Sequence, residues 1–240
     1  MTDRPTIRVA TFNIRHGADG AGRVSLRGLA RSCASLDADV LGLQEVDRRR
    51  TRSKLRDQSH VVARRVGGER IFGPALRRGV VGAYGNALVA RGSIDDIEVR
   101  RLPRAGPRQP RVAILATVTT RESAISVAVV HLQHRPRHLA AAEDEAPDQL
   151  RAALAALGER PPPRVLLGDL NLQPPRAQPI LTAAGFTVAE TGPTYPADAP
   201  RIRLDYVAVD GARILRASVA DEAPVSDHRA VVVDLEPSLR

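Results

Sequence analysis

Tryptophan is absent from this chain of 240 residues, and all aromatic types together make up 2% of it. Three Tyr and three Phe leave little material for base-stacking platforms, and a deep base-binding pocket is not expected. A single cysteine, Cys33, rules out an internal disulfide and suits a reducing compartment. Cys33 falls on the apolar phase of an expected helix, so it reads as a small buried hydrophobe rather than a nucleophile. No apolar run approaches membrane-spanning length. Met1-Thr2-Asp3-Arg4-Pro5 leads straight into a strand without the apolar core of a signal peptide, so the chain reads as cytoplasmic. Lysine is nearly missing too: of 36 basic residues, only Lys54 is not an arginine. The net charge of +9 invites a nucleic-acid partner. Arginine, alanine and proline richness points instead to compositional bias acting on the surface. The same excess suits any small phosphorylated substrate.

What the chain does have is an ordinary globular balance, 43% hydrophobic and 26% charged, enough for a sizeable core. Residues 1–240 read as one domain and as a monomer. Ile7 to Asn13 is apolar on both faces and predicts a central strand. Leu26, Leu29, Ala30, Cys33 and Leu36 predict a helix over Val24–Leu36, and Val40 to Gln44 a second buried strand. Arg48 to Asp57 reads as a basic surface loop, followed by a short helix marked by Val61, Val62 and Val66. Asn86–Ala90, Ile94–Arg101, Arg111–Val118 and Ile125–His131 read as successive strands, with the Pro/Gly-rich Leu102–Pro110 as a loop. A helix carrying Leu150, Ala153, Leu154 and Leu157 ends at Gly158, and the strand Val165–Gly168 follows. Ala177–Ala184 reads as a short helix, and Arg203–Val209, Ile214–Val219 and Ala230–Leu235 as the last strands. Strands in helix-separated pairs and in adjacent meanders together predict mixed sheets with helices outside.

Seven polar signatures sit where these runs end. They are Thr11-Phe12-Asn13-Ile14-Arg15-His16-Gly17, Leu43-Gln44-Glu45-Val46-Asp47, Tyr84-Gly85-Asn86, His131-Leu132, Gly168-Asp169-Leu170-Asn171, Leu204-Asp205-Tyr206 and Ser226-Asp227-His228. On a regular strand Leu41, Leu43 and Glu45 share one face, with Glu45 where the strand runs out. An ionised Glu there needs a partner or a metal. Gly168 allows close backbone approach, after which Asp169 and Asn171 point the same way, unless the segment is an Asx turn. His131 ends a strand in phase with Ile125, Val127 and Val129. An imidazole needs an acid to fix its tautomer, and Asp205 or Asp227 can serve His228. His134 and His138 read as surface residues. If Glu45, Asp169, Asp205 and Asp227 converge, their repulsion requires a cation. Oxygen ligands without usable thiols point to Mg²⁺ or Mn²⁺ rather than Zn²⁺.

Together these residues, from about Ile7 to Leu235, resemble the endonuclease/exonuclease/phosphatase superfamily of metal-dependent phosphoesterases. The most specific pieces are Leu43-Gln44-Glu45-Val46-Asp47, Gly168-Asp169-Leu170-Asn171 and Ser226-Asp227-His228-Arg229. The resemblance implies an α/β four-layer sandwich, two packed mixed β-sheets flanked by helices. It implies that Glu45 is the main metal ligand with Asn13 beside it, and that Asp227 is a further metal or site carboxylate. Asp169 would position or activate water and Asn171 would hold a phosphate oxygen. His228, oriented by Asp205, would be the base or a phosphate-binding imidazole. His131 would stabilise the transition state or assist the leaving group. Where secreted DNases carry a Glu that partners the first histidine, this chain has Tyr84-Gly85-Asn86. That pattern looks more like bacterial phosphodiesterase, sphingomyelinase-like and inositol-phosphatase-like members. Arg48, Arg49, Arg50 and Arg52, and the run Arg100 to Arg111, read as solvated surface, with an anionic groove as the other reading. The expected function is Mg²⁺-dependent hydrolysis of a small or lipid-headgroup phosphodiester or phosphomonoester. A sequence-nonspecific nuclease is the alternative, and a non-catalytic phosphate-binding protein the remote one.

Overall fold

Two parallel strand pairs organise the chain, and each carries polar residues at its carboxyl end. The computed structural model describes residues 6–121, 123–135, 144–221 and 225–237. Its elements run β1 (Ile7–Asn13), α1 (Leu26–Ser35), β2 (Val40–Arg48), α2 (Gln58–Val66), β3 (Glu69–Arg78), β4 (Gly82–Ala90) and β5 (Ser93–Arg101). They continue with β6 (Val112–Thr119), β7 (Ala124–His131), α3 (Ala146–Gly158), β8 (Arg164–Asp169) and α4 (Pro174–Ala183). The last are β9 (Thr187–Val188), β10 (Asp205–Asp210), β11 (Ala212–Val219) and β12 (Val231–Pro237).

The first sheet has the order β11-β12-β1-β2-β4-β3 and the second β5-β6-β7-β8-β10-β9. Among the described residues, only β1–β2 and β7–β8 are parallel, as expected where a helix-containing segment returns the chain in the same direction. Both sheets are therefore mixed. Val9, Val40 and Leu88 of the first sheet pack against Ile114, Val129 and Leu167 of the second. The outer face of the first sheet, with Phe12, Leu41 and Leu43, is covered by Leu29 and Cys33 of α1 and Val62 of α2. The outer face of the second, with Leu115, Val130 and Leu166, is covered by Leu150, Leu154 and Leu181 of α3 and α4. The result is the four-layer sandwich of two mixed sheets flanked by helices. A fully buried Val or Leu contributes roughly 1.5–3 kcal/mol, so many side chains share the work of fixing the sheets.

Local chemistry explains the helix ends. Ser25 and Asp57 accept hydrogen bonds from the Gly28 and His60 amides at the starts of α1 and α2. Gly67, at φ +80°, closes α2. Several sequence expectations change, among them β4, which starts at Gly82 rather than Asn86, and β9, which is an additional short strand. β3 is an additional strand that carries Gly73 and Pro74 with a register shift between Pro74 and Leu76, which the sheet tolerates because β3 lies at the edge. β2 runs on to Arg48 through a bulge between Leu43 and Val46. α4 starts at Pro174 rather than Ala177, its first turn built on prolines that need no amide partner. Buried Cys33 fits the core role read from its phase. His138 lies outside the described residues.

Gly168 marks a close approach of β8 to β7. A Cβ there would sit 2.5 Å from the Val130 carbonyl oxygen. Gly168→Ala is expected to lower unfolding stability by about 1–3 kcal/mol in urea denaturation, as overpacking does. A change within the error of that measurement would contradict so close an approach.

Candidate active site

The β-ladders bring the site together before any side chain is considered. His131 pairs with Asp169 across β7–β8, and Asp169 with Asp205 across β8–β10. The three therefore form one row in phase with Val129, Leu167 and Val207, which face the first sheet. Opposite them, Asn13 ends β1 in phase with Val9 on the same interface.

Asp169 is the hub. It is 1% exposed, and its Oδ2 accepts a 2.9 Å hydrogen bond from Asn13 Nδ2, joining the two sheets. Its Oδ1 accepts from the Asn171 amide at 3.0 Å, so the segment is an Asx turn and a site at once. Asn171 takes a left-handed φ of +49° and donates its side-chain amide to the Leu132 carbonyl. It therefore does not simply continue the strand direction of Asp169. Burial pushes the Asp169 carboxyl up to about 6 against the opposing pull of His228.

His228 Nδ1 lies 2.8 Å from Asp205 Oδ2, and its Nε2 lies 3.8 Å from Asp169 Oδ2. Burial alone would lower its pKa, but Asp205 and Asp169 together raise it to about 10. The His228 segment is pinned by Ser226, whose hydroxyl donates to the Asn13 carbonyl and accepts from the His228 amide. Asp205 Oδ1 is buried without a hydrogen-bond partner. Tyr195 lies against the His228 ring with centroids 5.0 Å apart.

Glu45 corrects the sequence reading. It does not share the face of Leu41 and Leu43, which pack beneath the helices. It sits in the β2 bulge at φ +58°, and its carboxylate accepts from Asn13 Nδ2 at 3.4 Å, on the side where the sheets meet. The bulge restores the phase at Val46, which is back under the helices. Gln44 and Asp47 have structural partners: Gln44 donates to Thr11 Oγ1, and fully buried Asp47 takes both ends of the Arg52 guanidinium at 2.7 and 2.9 Å. Asp227 lies 3.5 Å from Arg15 Nε, which offsets its charge.

The carboxylate oxygens of Glu45 and Asp169 converge on Asn13 Nδ2 where the sheets meet, while Asn13 Oδ1 accepts from the Arg15 amide at 3.0 Å; the two carboxylates are hard donors fitting Mg²⁺ or Mn²⁺. Asp169, Asp205 and His228 also present ligand atoms within 4.8 Å of one another. The pairing of His228 with Asp205 accounts for that cluster without a cation. Two clefts open beside the site. One of about 680 Å³ is lined by His134, Arg135, Asn171, Tyr195 and Leu204, so exposed His134 borders a cleft. The other, of about 180 Å³, is lined by Glu45, Arg50, Arg52, Arg78, Tyr84 and Gln109. A further cleft of about 730 Å³ by Asp39 and Arg91 holds none of these groups.

Arg111 was not legible as a site residue. It is 7% exposed, and its Nη1 lies 3.1 Å from His131 Nδ1. The available signal was a charged residue opening a strand that is otherwise apolar. Asn86, from the signature that replaces the DNase Glu, donates to the Val112 carbonyl and ties β4 to β6.

The raised His228 pKa makes a stability prediction. The folded state holds this proton up to about pH 10, whereas the unfolded chain releases it near 6.5. The stabilisation is complete below about pH 6.5 and is lost as pH rises to about 10. In EDTA, His228→Gln is expected to flatten the stability–pH curve over that window. Parallel curves for wild type and variant would contradict the pairing.

Comparison with known proteins agrees with this fold. The family model described as Endonuclease/Exonuclease/phosphatase family matches residues 10–228. An endonuclease/exonuclease/phosphatase from Beutenbergia cavernae is similar in structure with a TM-score of 0.80 and 22% identity, over 98% of this chain and 72% of that one. The human Nocturnin catalytic domain, with bound sulfate, gives 0.72 and 22%, over 98% and 94%. Danio rerio (D. rerio) TDP2, complexed with single-strand DNA product, gives 0.68 and 16%, over 96% and 98%. No curated protein matches the sequence significantly. With most of its length matched, the chain belongs to the endonuclease/exonuclease/phosphatase family of metal-dependent phosphoesterases.

Proposed function

We propose that this phosphoesterase is a Mg²⁺-dependent hydrolase of a small or lipid-headgroup phosphodiester or phosphomonoester. The observation that carries the reading is the row His131–Asp169–Asp205, closed by His228 and facing Asn13 and Glu45. Glu45 and Asn13 would hold the cation, with Asp227 as a further site carboxylate balanced by Arg15. When bound, the cation supplies charge stabilisation at the phosphoryl oxygens.

The remaining roles belong to the chain's own groups. Asp169, with its carboxyl raised to about 6, is poised to take a proton from an attacking water near neutral pH. His228, kept protonated by Asp205, presents a charged N–H to a phosphoryl oxygen. Asn171 spends one amide hydrogen on the Leu132 carbonyl and has a second for a phosphate oxygen. Water attacks phosphorus in line, its proton passing to Asp169, as the ester P–O bond opposite breaks and the departing oxygen takes a proton from solvent; the negative charge that develops on the phosphoryl oxygens meets donors already in place.

A nuclease is the second reading. The arginines of the cleft beside Glu45 favour it, as does a TDP2 relative complexed with single-strand DNA product. The two readings differ in salt response, because backbone binding releases counterions. The deciding experiment compares hydrolysis of a chromogenic phosphodiester, a phosphomonoester and plasmid DNA, with Mg²⁺ or EDTA. Mg²⁺-dependent turnover of a small ester, reduced about 10²–10⁴-fold in His228→Ala, is expected. Salt-sensitive plasmid nicking without small-ester turnover would replace the leading reading with the nuclease. Turnover of none of the three would overturn both.

The cation assignment has its own test. Mg²⁺ is expected to raise the melting temperature of the wild type by mass action, and Glu45→Gln to remove most of that shift. An undiminished shift in Glu45→Gln would place the cation elsewhere.

A further inference from the structure

Two histidines face Asp169, and their outer nitrogens have opposite partners. His228 Nδ1 meets a carboxylate, Asp205, at 2.8 Å. His131 Nδ1 meets a guanidinium, Arg111, at 3.1 Å. The difference reverses what each ring offers the site. A carboxylate only accepts, so it places a proton on His228 Nδ1. A guanidinium only donates, so His131 Nδ1 must carry a lone pair. The neutral imidazole then keeps its single proton on Nε2. His131 Nε2 points toward Asp169 Oδ2 across 3.5 Å, too far for a strong hydrogen bond. A donor is thus aimed at the centre of the site with no close acceptor.

Arg111 is held to do this. Its carbonyl accepts from the Leu102 amide at the mouth of β6, and its side chain is nine-tenths buried. Its Nε is buried with no hydrogen-bond partner, which a residue serving only as a core cross-link would not leave unmatched.

We propose that Arg111 is a positioning residue that fixes His131 as the Nε2–H tautomer. His131 thereby becomes an obligate hydrogen-bond donor to a phosphoryl oxygen and takes no part in proton transfer. The phosphoryl acceptor rests on the function proposed above; the tautomer does not.

The test is long-range ¹H–¹⁵N correlation of the imidazole rings in the metal-free protein, for wild type, Arg111→Lys and Arg111→Met. The expected wild-type His131 signature is an unprotonated Nδ1 and a protonated Nε2. Arg111→Met should lose that single tautomer, and Arg111→Lys, which still donates, should retain it. With a chromogenic phosphoester, Arg111→Met should lower kcat on the order of 100-fold with little change in KM, and Arg111→Lys should recover part of it. A protonated Nδ1 on wild-type His131 would overturn the proposal, even if neither variant folds. So would an Arg111→Met spectrum identical to wild type. The expected signature without turnover of any phosphoester would refute the functional reading and leave the Arg111 assignment standing.

Discussion

The site depends on one buried carboxylate placed where the two sheets meet. Asp169 is almost wholly withdrawn from water, and its Oδ2 takes the Asn13 amide from the opposite sheet. A charge so placed is costly unless matched, and its surroundings are arranged to match it. Asn171 supplies a backbone amide and His228 a positive charge. His228 is in turn held by Asp205, and its segment is anchored to the Asn13 carbonyl through Ser226. The ends of β1, β8 and β10 and the lead-in to β12 are thereby coupled through Asp169. Disturbing any one of them alters the charge balance felt by the rest.

This arrangement divides the site into two sides. Glu45, from the first sheet and joined to the Asn13 amide, marks the side proposed to hold the cation. The β2 bulge is what puts Glu45 there, because a regular strand would turn it beneath the helices. Under the proposed function, Asp169, Asp205 and His228 form the side that handles protons. His131 stands between them with polarity opposite to His228. The arginine excess is used unevenly. Arg52 is spent on Asp47 and Arg111 on His131, while Arg50 and Arg78 border the cleft beside Glu45.

Much of this was legible in the sequence because it depends on local pattern. Apolar runs at Ile7–Asn13, Ile125–His131 and Val165–Gly168 predict buried strands, and their polar ends mark Asn13, His131 and Asp169. What was not legible depends on pairing between distant strands. β3 was hidden by Gly73-Pro74, which only an edge position excuses. The phase of Glu45 follows from a bulge opposite β4, and nothing in residues 40–48 alone requires it. Arg111 looked like one more surface arginine, because its partner lies on a neighbouring strand. The fold class follows from periodicity, whereas the polarity of His131 and His228 follows from the side chains of Arg111 and Asp205, which lie 20 and 23 residues away in sequence.

The division into a cation side and a proton side is tested most directly by locating the cation. Anomalous diffraction from crystals grown with Mn²⁺ would do so. The account predicts a manganese peak bound by the Glu45 carboxylate, with His228 still joined to Asp205 through Nδ1. A peak bound by Asp205 and His228, with Glu45 uninvolved, would contradict it.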